Sequence, residues 1–377
     1  MTRPPRMLAA LGGATALLLL VPPVGASAHR GHPAPTPKPV VRSSQLAAPF
    51  NLDLYKDSVL VADGGLGLVG WLGRGGAITP VATDQPGASG VARSRDGKRV
   101  AWTTTVTDPD TFENAESGLT IKRFGGRTVQ ADTHAFEVAK NPDAVNHYGV
   151  SNPSQCVADA FAAAGFPNDY DGAVDSHAYS VAAYRDAWVV ADAGANALFR
   201  VGNDGSIRTL AVLPPQPVTL TADMVAALGL PDCVAGVTYA FEPVPTDVEV
   251  GKDGWLYVTL LPGGPESRVL GARGSVYKVN PANGMVRKVA GGFLGATNLA
   301  LGKHGEVYVA ELFAGRISTV RHGMARPWLD LPGVVAVESS KDGDLWAATL
   351  GNEDPPAPGT IVRIRDGRMH HEGTIRR

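Results

Sequence analysis

The sequence predicts an all-β fold: a six-bladed β-propeller carrying two partly helical insertions on one face. Three observations predict it. A short apolar strand, a small turn and a stronger second strand recur six times, the second strands reading SVLVAD (58–63), RVAWTT (99–104), AWVVAD (187–192), WLYVTL (255–260), EVYVAE (306–311) and DLWAAT (344–349). Most of the turns ahead of them carry an Asp-Gly or His-Gly pair: Asp96-Gly97, Asp253-Gly254, His304-Gly305 and Asp342-Gly343. Third strands often open on Gly and alternate with period two, as in GSVYKV, GRISTV and GTIVRI. β-branched and aromatic strands repeating with Gly-rich hairpins are the pattern of a propeller, in which each sheet is covered by its neighbours.

The elements follow in order. Arg3 and Arg6 precede an apolar run from Leu8 to Val21, and Ala26-Ser27-Ala28 is a small-residue cleavage pattern, so residues 1–28 read as a secretory signal peptide. Residues 29–44, beginning HRGHPAPTPKPVV, read as a Pro-rich extended linker. Residues 45–377 form the propeller. Blade 1 is 50–54, 58–63, 67–72 and 77–82; blade 2 is 90–94, 99–105, 118–124 and 128–134; blade 3 is 179–184, 187–192, 197–202 and 207–213. Blade 4 is 246–250, 255–260, 274–280 and 285–290; blade 5 is 297–301, 306–311, 315–321 and 325–331; blade 6 is 334–339, 344–349, 359–365 and 368–375. The ring closes in one of two ways: residues 42–48 add a strand to the last blade, or blade 6 is complete alone. The apolar run of the signal segment is too short for a comfortable membrane span, and no other stretch is long and apolar enough to cross a bilayer.

Residues 135–176 and 214–245 break the repeat. Each holds a helix-like piece, CVADAFAAAG (156–165) after Asn152-Pro153-Ser154, and TADMVAALG (221–229) with Thr221 as N-cap and Gly229 as C-cap. Each also holds one of the two cysteines, Cys156 and Cys233. In an oxidising compartment these are expected to form a disulfide; two buried thiols are the alternative.

Strand parity fixes where the irregular chain goes. Neighbouring strands of a blade are antiparallel, so 2–3 loops and 4–1 crossovers share one face. Both insertions are 4–1 crossovers, and the other long connections (106–117, 261–273 and 350–358) are all 2–3 loops. The formal net charge is −2, yet these loops are rich in acids and in aromatics, including Phe166, Tyr170, Asp175, Tyr239, Phe241 and Glu242. An acidic, aromatic surface suits a cationic small molecule, a glycan or a basic protein partner and repels nucleic acid. Solubilising acids and rim-packing aromatics are the structural alternative.

First strands line the central channel. Near their entry lie Asn51, Asp247 and Asn298, hard oxygen ligands of the kind calcium or another divalent cation takes, with His177 just ahead of the third blade. The alternative is hydrogen bonding to water or backbone inside the channel. Asp63, Asp192 and Glu311 end second strands on the same face, where an acid commonly caps a turn; Glu311 is kept as a ligand candidate. Asp169-Tyr-Asp171-Gly-x-x-Asp175 has the flavour of a calcium loop without the EF-hand spacing. No G-x-S-x-G, H-E-x-x-H, zinc-spaced Cys/His cluster or phosphate-cradling loop occurs, and no catalytic residue is assigned.

At TADMVAALGLPDC, EPVPTDVEVGKDGWLYVTLLPGGPE, LGARGSVYKVNPANG and FLGATNLALGKHGEVYVAELFAGRIS the chain resembles the ScyD/ScyE family, most strongly over 221–320. The resemblance implies an exported, NHL-like propeller and brings no catalytic residues with it. Together these readings predict a secreted monomer that binds a ligand or protein through its acidic, loop-rich face. A metal-assisted hydrolase or lactonase at the channel mouth is the alternative.

Overall fold

The computed structural model describes residues 37–56, 58–265 and 268–365. All six predicted second strands form, and each is flanked by antiparallel neighbours in a four-stranded unit. Sheet I is Pro49–Tyr55, Ser58–Asp63, Leu68–Leu72 and Ile78–Ala82; sheet II is Val91–Arg93, Arg99–Thr107, Asn114–Arg123 and Thr128–Asp132. Sheet III is Ala178–Tyr184, Ala187–Asp192, Ala197–Gly202 and Ile207–Val212; sheet IV is Pro245–Val250, Leu256–Leu260, Gly274–Val279 and Val286–Phe293. Sheet V is Ala296–Leu301, Val307–Glu311, Arg316–Arg321 and Met324–Asp330; sheet VI contains Val334–Ser339, Leu345–Thr349 and Gly359–Arg365. The outer strands of IV and V share one parallel pair, Gly291 with Met324, which fuses them into an eight-stranded sheet.

Each innermost strand lies against the innermost strand of the next sheet, and that of sheet VI against that of sheet I, so the units close a ring. Between consecutive sheets sits an apolar layer: Leu60 and Trp102 between I and II, Trp188 and Phe199 between II and III, Leu198 and Val248 between III and IV. Phe293 and Leu299, then Ile317 and Ile364, then Val61 and Val335 continue the series round to sheet I. Covering both faces explains why the second strands are almost continuously apolar.

Sheet VI is completed from the other end of the chain. Lys38–Leu46 pairs antiparallel with Gly359–Arg365, Val40 opposite Arg363 and Leu46 opposite Gly359. The structure therefore takes the first of the two closure routes, with a strand that starts at Lys38, inside the stretch read as linker. Pro39 is tolerated because this is an outermost strand, about half of whose N–H groups point away from the sheet. The fourth strand predicted at 368–375 lies outside the described residues, as does the signal segment 1–28.

Five first strands begin with the same bulge, one residue being skipped between Pro49 and Asn51, Ala178 and Ser180, Pro245 and Asp247, Ala296 and Asn298, and Val334 and Ala336. A bulge bends the strand and re-aims its side chains. Two skipped residues use that freedom to reach the next sheet: Thr246 Oγ1 donates to Ala296 O at 3.0 Å and Thr297 Oγ1 to Val335 O at 2.8 Å.

The 2–3 connection of sheet II is more regular than its composition suggests. Val106 pairs with Glu116 and Thr107 with Asn114, so much of 106–117 is an extended hairpin arm. The two insertions fold together into one cap. Its sheet runs Asp169–Asp171, His147–Gly149, Thr238–Phe241, Gln216–Thr219, and the middle pair, Gly149 with Ala240, joins one insertion to the other. Three helices accompany it, α1 (Thr133–Lys140), α2 (Gln155–Ala163) and α3 (Ala222–Ala227). Thr221 caps α3 as predicted, accepting from Met224 N at 3.2 Å, and Ser154 caps α2, accepting from Val157 N at 3.4 Å. α1 was not expected; THAFEVAK is too short for its periodicity to stand out, and Asp132 caps it by accepting from Ala135 N at 2.7 Å. Phe161, Leu220, Val225, Val234 and Tyr239 give the cap its own core. Cys156 and Cys233, 77 residues apart, are disulfide-bonded across it, with Cα atoms 6.4 Å apart.

A candidate pocket between cap and propeller

Where the cap meets the rim of sheets III and IV, a pocket of about 50 Å³ opens between Phe166, Tyr170, Asp175, Tyr239, Phe241 and Glu242. Both insertions contribute. The aromatic wall is continuous: Tyr239 lies 4.5 Å from Phe241 and 5.2 Å from Phe161 between ring centroids, and Tyr170 lies 5.6 Å from Tyr148. Tyr239 OH donates to Pro167 O at 2.6 Å, which fixes its ring. The Tyr170 hydroxyl shares its one proton between the Glu242 carboxylate and the Tyr239 oxygen. Burial, with the Glu242 charge added, holds both phenols well above their ordinary range, so they act as neutral donors. Arg273 already stacks a guanidinium on the outer part of this wall, 4.6 Å from the Phe241 centroid, with Nη1 donating to Gly263 O at 2.6 Å. Burial lowers its pKa only to about 10, so it stays charged.

A second concentration of charge lies in the channel. Asp53, Asp247, Glu249 and Glu338, on the innermost strands of sheets I, IV and VI, act on one another by charge. Loss of hydration is the main cause of their raised pKa values: about 6 for Asp53 and Asp247, about 8 for Glu338, and well above the usual range for Glu249, which shares a hydrogen bond with Glu338. Asp53, Glu249 and Glu338 were not among the predicted site residues. The signal was there: each stands two residues beyond an aligned channel position, in Asn51-Leu-Asp53, Asp247-Val-Glu249 and Ala336-Val-Glu338, and period two puts it on the same side.

The predicted residues do not form one site. Asn51 and Asp247 meet, Nδ2 donating to Oδ1 at 3.3 Å, and Asp247 also accepts from Ser180 Oγ at 2.6 Å and Leu299 N at 2.9 Å. Asn51 Oδ1 accepts from Val91 N at 3.4 Å and Asn298 Oδ1 from Val337 N at 2.7 Å. The three residues thus share one device: a side-chain oxygen takes a backbone N–H of the next sheet's first strand. His177 is half-buried, 5.6 Å from the Tyr179 ring, and loss of hydration lowers its pKa to about 4, so it is neutral at neutral pH. Glu311 is fully buried, pairs with Arg316 Nε at 2.8 Å, and accepts from Leu294 N at 2.6 Å and from the Ser318 hydroxyl. Asp63 and Asp192 do the same work, accepting from Ala47 N at 2.8 Å and His177 N at 2.7 Å, so all three acids tie an incoming crossover to its sheet. Among the described residues no three His, Cys, Asp or Glu side chains are grouped to hold a metal. None of the described helices is long and apolar enough to cross a membrane.

No protein-family model matches the chain, and no curated protein matches it. Among solved structures it is similar to a glucose dehydrogenase, at 12% identity over 87% of this chain and 99% of that one, with a TM-score of 0.51. It is also similar to the aldose sugar dehydrogenase of Streptomyces coelicolor in its PQQ-bound form, at 14% identity over 88% and 99%, with a TM-score of 0.49. Virginiamycin B lyase from Staphylococcus aureus aligns at 13% identity over 88% of each chain, with a TM-score of 0.44. At such identities the likeness is one of fold, a β-propeller.

Proposed function

We propose that this chain is an exported, six-bladed propeller of the ScyD/ScyE kind that binds a cationic group, ammonium or guanidinium, through the pocket beneath its cap. The group belongs to a small ligand or to a side chain of a basic protein partner. One observation carries the reading: two carboxylates, Asp175 and Glu242, and four aromatic rings surround a space of about 50 Å³ at the junction of cap and rim. A desolvated cation gains from ring faces and carboxylates together, and the enclosed volume suits a head group rather than a whole ligand. Export rests on the signal-like segment 1–28 and accords with the disulfide. Binding is favoured over a metal-assisted hydrolase or lactonase because oxygens of Asn51, Asp247 and Asn298 are engaged by backbone N–H groups of neighbouring sheets.

The test is calorimetric titration of the protein with acetyl-arginine amide, acetyl-lysine amide and an arginine-rich peptide, against a glutamate-rich peptide as control. Glu242→Gln keeps an acceptor for Tyr170 and removes the charge. It should weaken cation binding about tenfold, the worth of about 1.4 kcal/mol, without moving the thermal midpoint. Absence of binding by every cationic probe, or equal affinity in the variant, rejects the reading.

A further inference from the structure

Beneath the cap, behind Asp175 of the pocket, α1 and the turn after it carry a group of oxygens that the fold leaves without partners. Glu137 and Asp143 are 0% and 1% exposed. Glu137 Oε2 accepts from Asp175 N at 2.8 Å, while Oε1 has no partner. Asp143 Oδ2 accepts from Asn196 Nδ2 at 3.0 Å and Tyr148 OH at 3.2 Å, while Oδ1 has none. Between them in sequence, Asn141 donates Nδ2 to Gly172 O at 3.0 Å and its Oδ1 is likewise unpartnered. Among the described residues these are the only buried carboxylate or amide oxygens left so.

They belong to one neighbourhood. The segment from Gly172 to Asp175 touches all three residues: Asp175 N holds Glu137, Gly172 O holds Asn141, and a Cβ on Gly172 would stand 2.4 Å from Asp143 Oδ1. Gly172 is thus required for close approach. Glu137 also feels the charges of Asp192, Asp143 and Asp175. Asp192 is satisfied by Ser176 Oγ, His177 N and Ala195 N. Glu137 and Asp143 are not, and a buried carboxylate oxygen with nothing to accept from is destabilising by several kcal/mol.

We propose that Glu137 Oε1, Asn141 Oδ1 and Asp143 Oδ1 ligate a hard divalent cation of calcium type, which fastens α1 and the 172–175 segment to the rim of the propeller. Two carboxylates and an amide carbonyl are an all-oxygen donor set, which suits calcium and disfavours zinc or copper. Backbone carbonyls and water complete the six to eight ligands calcium takes. The role is structural; its three ligating residues do not line the cation pocket, although Asp175, whose N–H holds Glu137, does.

The protein is stripped with chelator and titrated with calcium chloride, with magnesium chloride as competitor. One equivalent of calcium should bind, raising the thermal midpoint by about 3 °C or more at a hundredfold excess over Kd. The double variant Glu137→Gln, Asp143→Asn should lose that response while its metal-free midpoint equals or exceeds that of the stripped parent, since neither amide can bring a charge into the buried site. Terbium luminescence gives a measure that needs no variant: Tyr148 hydrogen-bonds Asp143, so one equivalent of bound terbium should show tyrosine-sensitised emission that calcium quenches. No calcium binding, no sensitised emission, or an unchanged calcium response in the double variant overturns the proposal.

Discussion

Asn51 donates its side-chain amide to the carboxylate of Asp247, 196 residues along the chain and 3.3 Å away, joining sheet I to sheet IV across the channel. The same carboxylate holds Ser180 of sheet III and the backbone of Leu299 in sheet V. One buried acid thus ties four sheets.

Replacing it should loosen the ring. Asp247→Ala strands the Leu299 N–H and leaves Ser180 and Asn51 without their acceptor in a buried site. Unsatisfied buried donors cost about 1–3 kcal/mol each, and relief of the buried charge offsets part of that, so a net loss of about 3 kcal/mol is expected. Asp247→Asn keeps an acceptor oxygen and should lose about 1 kcal/mol. Equilibrium urea unfolding measures both; a loss under about 1 kcal/mol for the alanine variant would falsify the staple.

The channel acids set the direction of pH dependence. Glu338 rises from 4.5 to about 8 on folding and Glu249 rises with it. In that interval the folded chain holds more protons than the unfolded chain, so stability falls as pH rises. The favourable contribution is full below about pH 4.5 and is lost as pH climbs through about 8. Thermal midpoints should therefore be higher at pH 5.5 than at pH 8.5, and Glu338→Gln should flatten the difference. A midpoint that climbs with pH equally in both proteins contradicts the arrangement.

What was legible in the sequence was local. Asp-Gly turns and β-branched second strands announce themselves within a few residues, and parity alone places both insertions on one face, where their shared sheet and disulfide are found. The Thr221 cap was readable for the same reason. Asn51 and Asp247 were readable as channel residues because their places in the first strands align. That Glu249 meets Glu338 was not, since it depends on how far sheets IV and VI turn about the axis. The closing strand was half hidden: Pro39 gives Lys38–Leu46 the look of an extended tether, and its partner Gly359–Arg365 is at the far end of the chain. The grouping of oxygens at the end of α1 was hidden, because Gly172 approaches them from some thirty residues further along the same insertion.

The disulfide should govern the cap and leave the propeller alone. Cys156 and Cys233 close a 77-residue loop, and on the chain-entropy account that constraint is worth about 4 kcal/mol. The cap buries its own cluster around Phe161 and Tyr239, separate from the layers between sheets, so it has the means to open as a unit. Cys156→Ser with Cys233→Ser should then raise amide hydrogen exchange across 142–172 and 216–241. Sheets V and VI, which lie away from the insertions, should keep the parent's protection. Binding of arginine probes should weaken in parallel, because Tyr170, Tyr239 and Glu242 are carried by the loosened segments. Uniform exchange over all sheets, or a cap as protected as the parent's, contradicts the separation of cap from ring.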